Sequence, residues 1–252
     1  MSANRPFVLT IAGFDPSAGA GILADVKTFE QHRVYGFGIN TGNTIQTENE
    51  FFEMQWTDLT FVLKSIEKLF DNYTIEAVKI GIVPTLDYLK QIVFAINNIS
   101  PKTKIIWDTV LKSTTEFDFL TIENQVVLIE ILKKIDLITP NYNEILQLSS
   151  KEINAETIAK MLSKHCPVLL KGGHNPNEIG YDYLYLKNDF FSFTPNENNI
   201  LISEKHGSGC VLSSAITANL ALEQDLKTAC VNAKKYIETY LQSNPAKLGY
   251  HV

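Results

Sequence analysis

Short β-branched runs alternate along the chain with longer stretches whose apolar residues recur at helical spacing. Phe7–Ala12 predicts a buried strand. Gly21–His32 predicts a helix with Ile22, Leu23, Val26 and Phe29 on one face. Tyr35–Thr41 predicts a second strand, and Leu59–Phe70 a helix striped by Leu59, Val62, Leu63 and Ile66. The pattern continues with a strand at Ile75–Ile82, a helix from about Leu86 to Asn97, and a strand at Lys104–Trp107 that ends in Asp108. Ile122–Lys133 reads as helix, Asp136–Thr139 as strand, Ala155–His165 as helix and Val168–Lys171 as strand. Tyr183–Leu186 and Phe190–Phe193 flank Asn188-Asp189 as a hairpin. Two helices, Cys210–Leu222 and Leu226–Leu241, follow.

Strand–helix alternation means parallel strands joined by crossover helices. The expected architecture is α/β: a three-layer α/β/α sandwich with a mostly parallel central sheet. No linker-like or repetitive stretch divides the chain, so residues 1–252 are expected to form one domain. Ligands of open α/β sheets bind beyond the carboxyl ends of the strands. Those ends carry Gly13-Phe14-Asp15-Pro16, Thr44-Ile45-Gln46, Gly81-Ile82, Asp108-Thr109, Thr139-Pro140-Asn141 and Lys171-Gly172-Gly173-His174. Such a rim suits a polar ligand.

Charge and composition narrow the classes. The 22 basic and 28 acidic residues leave a net charge of −6, which disfavours a broadly basic nucleic-acid binder. No apolar run reaches the length of a membrane span, and the first residues lack a signal-peptide core, so a cytoplasmic protein is expected. The three cysteines, 166, 210 and 230, and the five histidines match no metal-binding spacing.

Gly19-Ala20-Gly21-Ile22-Leu23-Ala24 fits the dinucleotide pattern GxGxxA, but its context does not. Phe14 to Ala18 separate it from the strand, and no acid ends the second strand. It reads instead as a small-residue loop that lets a flat ligand lie against backbone, or as an ordinary helix start. His206-Gly207-Ser208-Gly209-Cys210 opens directly onto an apolar helix, where backbone N–H groups can converge on an anion. Cys210 falls on the first turn, where a thiol pKa tends to drop. Lys171, before two glycines, can reach a phosphate; a snorkelling Lys at a plain turn is the simpler reading. Asn141 and Glu144 stand in capping-box spacing; alternatively Glu144, with Asp108, positions a hydrated magnesium ion.

Val8–Phe29 (VLTIAGFDPSAGAGILADVKTF) closely resembles the opening of hydroxymethylpyrimidine/phosphomethylpyrimidine kinases, thiamin-biosynthesis enzymes of the ribokinase-like superfamily. The resemblance continues through Val34-Tyr35-Gly36, Thr44-Ile45-Gln46, Lys79-Ile80-Gly81, Asp108, Thr139-Pro140-Asn141, Glu144, Lys171-Gly172-Gly173-His174 and the 206–210 block. It implies ATP-dependent phosphorylation of 4-amino-5-hydroxymethyl-2-methylpyrimidine and then of its monophosphate. It implies that Gln46 bonds the aminopyrimidine and that Gly13, Ala20, Asp25, Thr44 and Ile82 line its pocket. It places Gly207, Ser208 and Gly209 in an anion hole, with Cys210 where most ribokinase-like enzymes carry a catalytic Asp. Lys171 and Asn141 would meet the nucleotide, and Asp108 and Glu144 would orient Mg2+. A homodimer is also implied. Pyridoxal kinases share part of this pattern, and a non-catalytic ligand-binding relative is a further alternative. The chain departs from the family around Gln46, at Ile82 where a Met is common, and at Arg33 where a Gly is common.

Overall fold

The computed structural model describes residues 5–112, 117–151, 153–175, 178–196 and 204–251. Nine strands form one sheet: β1 (Phe7–Phe14), β2 (Tyr35–Gln46), β3 (Phe51–Trp56), β4 (Ile75–Ile80), β5 (Lys104–Trp107), β6 (Leu137–Ile138), β7 (Val168–Leu170), β8 (Asp182–Tyr185) and β9 (Phe190–Phe193). Their spatial order is β3-β2-β1-β4-β5-β6-β7-β8-β9. The run from β2 to β7 is parallel; β3 at one end and β8–β9 at the other are antiparallel. The helices are α1 (Gly21–Gln31), α2 (Leu59–Asn72), α3 (Leu86–Ile99), α4 (Gln125–Leu132), α5 (Tyr142–Gln147), α6 (Ala155–Leu162), α7 (Ser208–Ala221) and α8 (Leu226–Gln242). The three-layer, mostly parallel α/β architecture expected from the sequence is the one observed.

The strand pleat divides the core in two. Leu9, Ile11, Val78, Ile80, Ile105, Trp107, Ile138, Val168 and Leu170 point to a layer packed by α2 to α6. Val8, Ala77, Ile106, Leu137 and Leu169 point to the opposite layer, packed by α1, α7 and α8. Since side chains alternate, the next outward steps on this second face are Thr10, Lys79, Asp108, Thr139 and Lys171. Polar residues thus replace apolar ones on one face, toward the carboxyl ends of the strands. Helix α7 crosses that face with Val211 to Asn219 buried all round, as its small residues (Ser213, Ser214, Ala215, Ala218) permit.

Several sequence expectations shift. β2 runs to Gln46 rather than Thr41, and β3 pairs back on it, a hairpin that the interrupted apolar pattern of 51–56 concealed. α4 begins at Gln125 rather than Ile122, because the Asn124 side chain accepts the amides of Val126 and Val127 and caps it there. α7 starts earlier, at Ser208. Arg33, at the position following the α1 cap, has φ 59, the left-handed conformation that glycine adopts at no steric cost.

Candidate active site

Six helices begin under a side-chain cap: Asp58, Thr85, Asn124, Asn141, Asn154 and Asp225 each accept amides of the first turn. α1 and α7 begin at Ala20 and Gly207 with no side-chain cap. These two uncapped ends meet at the tips of the central strands. Gly207 has φ 73, and a methyl group on it would lie 2.1 Å from the Gly19 carbonyl oxygen. Gly21 has φ 59, and its methyl would lie 2.2 Å from the Gly13 carbonyl oxygen. Gly207 therefore lets the start of α7 touch the loop after β1 through backbone, and Gly21 lets the start of α1 fold back on the end of β1. Among the described residues, the amides of Gly209 and Cys210 donate to no partner. Unmatched donors at the positive end of a long helix favour an anion.

The cationic side of this end is Lys171. A methyl on Gly209 would stand 3.2 Å from Lys171 Nζ, so the bare glycine is what admits the ammonium. Lys171 Nζ donates to Asp108 Oδ1 at 3.2 Å and lies 3.8 Å from Glu144 Oε2. Lys79 Nζ donates to both oxygens of Asp25, at 2.8 and 2.9 Å, and lies 3.9 Å from Asp108 Oδ2. The result is a buried row of alternating charge: Asp25, Lys79, Asp108, Lys171, Glu144. Burial opposes charge on Lys171, but Asp108 and Glu144 outweigh it and hold its pKa above the usual value. Burial likewise opposes Lys79, and Asp25, Cys210 and Asp108 hold it well above the usual range. Burial pushes Asp108 up too, yet Lys171 and Lys79 bring its carboxyl below the ordinary carboxylate value. Glu144, at the end of the row, is pushed by burial to about 7, with Lys171 opposing and Asp108 reinforcing.

Each expected site residue can now be placed. Gly13, Ala20, Ile82, Asn141, Asp108, Glu144, Lys171 and the Gly207–Cys210 turn converge. Ile82 lies against Gly13, where a methyl would come within 2.4 Å of its Cδ1. Thr44 uses its hydroxyl to tie β2 to the Phe14 carbonyl at 3.0 Å. Gln46 is half-buried at the end of β2, opposite Phe51. Asp25 differs from its expectation. It is fully buried and its oxygens are bonded by Lys79, Thr10 and Ser214, which leaves the side chain without an open face toward a ligand. The lowered thiol expected at Cys210 is also reversed. Burial pushes it up to about 12; Lys79 pulls it down, but Asp108 and Asp25 oppose that pull. Lys79 was missed as a site residue. A lysine two residues after Ala77, on the same face of a strand as that buried alanine, is its signal.

A magnesium ion keeps most of its waters and takes few protein carboxylates. Glu144 fits that demand. Its Oε2 accepts from Asn141 N at 2.7 Å and Thr109 Oγ1 at 3.4 Å, completing a capping box, while Oε1 takes no such bond among the described residues. Asp108 fits it less well. Its oxygens are engaged by Lys171, Thr139 at 3.1 Å and Ser213 at 3.1 Å, which makes it the anchor of Lys171. Among the described residues no group of three or more His, Cys, Asp or Glu side chains is placed to hold a metal by itself.

The family model described as phosphomethylpyrimidine kinase matches residues 15–252. The hydroxymethylpyrimidine/phosphomethylpyrimidine kinase of Aquifex aeolicus (strain VF5) is 32% identical over 250 residues, 96% of each chain. Its namesake in Staphylococcus aureus (strain MRSA252) is 30% identical, over 94% of this chain and 88% of its own. Among solved structures, the phosphomethylpyrimidine kinase of Clostridium difficile 630 superposes with a TM-score of 0.77 at 32% identity, covering 92% of this chain and 98% of that one. The pyridoxal kinase of S. aureus in complex with AMP-PCP and pyridoxal superposes with a TM-score of 0.82 at 26% identity, covering 97% and 92%.

Proposed function

The chain belongs to the phosphomethylpyrimidine kinase family, and from that premise we propose that it transfers phosphoryl groups from ATP to 4-amino-5-hydroxymethyl-2-methylpyrimidine and then to its monophosphate, giving the diphosphate used in thiamin biosynthesis. The observation that carries this reading is the uncapped start of α7. Its free amides at Gly209 and Cys210 stand beside the Lys171 ammonium.

Phosphoryl transfer asks for positioning and charge stabilisation more than covalent chemistry. The Gly209 and Cys210 amides and Lys171 hold the transferred group, and Asp108 fixes where Lys171 sits. Glu144 is the residue that would hold a hydrated Mg2+, which would supply charge neutralisation on the phosphates. Gln46, whose amide both donates and accepts, matches the ring nitrogen and exocyclic amine of an aminopyrimidine. Gly13 and Ala20 let the flat ring approach backbone. Cys210 is the candidate acceptor of the hydroxymethyl proton. Its thiol rests protonated at neutral pH, so ionisation forms part of the barrier, and the reaction speeds up as pH rises toward the thiol's pKa. We also propose a cytoplasmic homodimer. No described helix is long and apolar enough to cross a membrane.

The test is a magnesium–ATP assay with hydroxymethylpyrimidine, its monophosphate and pyridoxal offered separately and products identified by mass. Phosphorylation of both pyrimidines is expected. Turnover of pyridoxal alone overturns the substrate assignment.

A further inference from the structure

His206, 9% exposed, precedes the left-handed Gly207, and neither phosphate binding nor pyrimidine binding explains it. Its Nε2 lies 2.9 Å from Asp15 Oδ2, across 191 residues of sequence. Asp15 also accepts the Ser17 amide at 2.8 Å, the Ser17 hydroxyl at 2.9 Å and the Ala20 amide at 2.9 Å. Burial opposes ionisation of Asp15, but the bonds from His206 and Ser17 outweigh it and keep its pKa below the usual value. An ionised carboxylate only accepts, so Nε2 carries the proton of this bond. The other ring nitrogen, Nδ1, is buried and has no hydrogen-bond partner among the described residues. The one side-chain hydrogen bond that the structure gives the ring is therefore the Nε2–H bond to Asp15.

The rest of the residue is held from behind. The His206 amide donates to the Lys247 carbonyl at 2.9 Å. A methyl on Gly19 would meet the His206 ring at 2.7 Å and Leu248 at 2.8 Å. The Lys205 ammonium donates to the carbonyls of Asn244 and Ala246. The imidazole is therefore wedged between the 244–248 segment and the loop after β1.

Resting on the kinase reading above, we propose that His206 is a positioning residue: its bond to Asp15 fixes the 15–20 loop, which walls the acceptor pocket, at one distance from the α7 amides that hold the transferred phosphoryl group. Misplacement of reacting groups by about 1 Å is enough to cost on the order of 10²-fold in rate.

The experiment compares His206→Ala with His206→Gln, which restores an N–H donor, by steady-state kinetics and by amide hydrogen exchange. His206→Ala is expected to lower kcat roughly 10- to 100-fold while the KM for ATP moves less than about threefold. Exchange should rise in peptides covering 13–23 and 204–212, and His206→Gln should recover most of both losses. Equal impairment of the two variants, or unchanged exchange in His206→Ala, overturns the proposal. If His206→Ala does not fold, Asp15→Asn takes its place, with the same expected split between kcat and KM. The exchange readout needs no turnover. Failure of the wild type to phosphorylate either pyrimidine would therefore count against the kinase reading alone.

Discussion

The two faces of the sheet are built from the same strands to different ends. The face under α2 to α6 is filled by Ile, Leu, Val and Trp107, as a core needs for close packing. The face under α1, α7 and α8 is lined with Val8, Ala77, Ile106, Leu137 and Leu169 where it is apolar, and with Thr10, Lys79, Asp108, Thr139 and Lys171 where the strands end. Small residues let α7 lie close to the strands and deliver Ser213 and Ser214 to Asp108 and Asp25. Both faces carry buried apolar residues, but the candidate chemistry is confined to the second. The second face has to keep every buried charge matched, because an unmatched one costs more than a missing methyl group.

Four substitutions break or sharpen this contrast. Lys79→Met leaves Asp25 without its cation and should destabilise the protein by about 3–5 kcal/mol. Thermal denaturation should then show a midpoint lower by roughly 10 °C or more. A stable, active Lys79→Met protein would show that the charge row is not what holds this face. Cys210→Ala should fold normally and lose about 10²-fold or more in kcat. The raised thiol sets the sign of the pH dependence. The thiolate fraction grows about tenfold per pH unit below the pKa, so wild-type kcat should climb from pH 7 to 9 and the variant's should not. Near-wild-type turnover would leave position 210 with only its amide role. Gly209→Ala places a methyl against Lys171 and should cut kcat/KM for ATP roughly tenfold. Its melting point should hold or rise slightly, since Ala suits a helix better by up to about 1 kcal/mol. Ile92→Val, on the aliphatic face, should cost about 1 kcal/mol with unchanged kinetics. A kinetic effect there would erase the division between the faces.

The sequence pattern disclosed the parallel core readily, because β1, β4, β5 and β7 are short, mostly apolar, β-branched runs between amphipathic helices. It hid β3, whose mixture of Phe, Glu and Gln at a sheet edge carries no clean period. The glycines and the lysine of the site were legible as punctuation at strand tips, and Asn141 with Glu144 as a cap. Asp25 and Cys210 depart from their expectations because local spacing reports which element a residue joins, but not which groups the other layers bring against it. Asp25 is fully buried with its oxygens bonded by Lys79, Thr10 and Ser214. Cys210 has the helix start that lowers a thiol, yet desolvation and two carboxylates reverse the effect. The partnership of Asp15 with His206, 191 residues apart, has no local signature at all.

The polar side of the sheet also bears on how the chain folds. Helix α7 lies late in the sequence, so the strands it covers are synthesised long before it. A partly folded chain awaiting α7 presents Lys79, Asp108, Lys171, Thr10 and Thr139 to solvent. Water can solvate these groups, whereas an uncovered aliphatic surface invites association between chains. The polar strand ends that α7 comes to cover can thus stay bare during folding with less risk of aggregation than the aliphatic surface beside them.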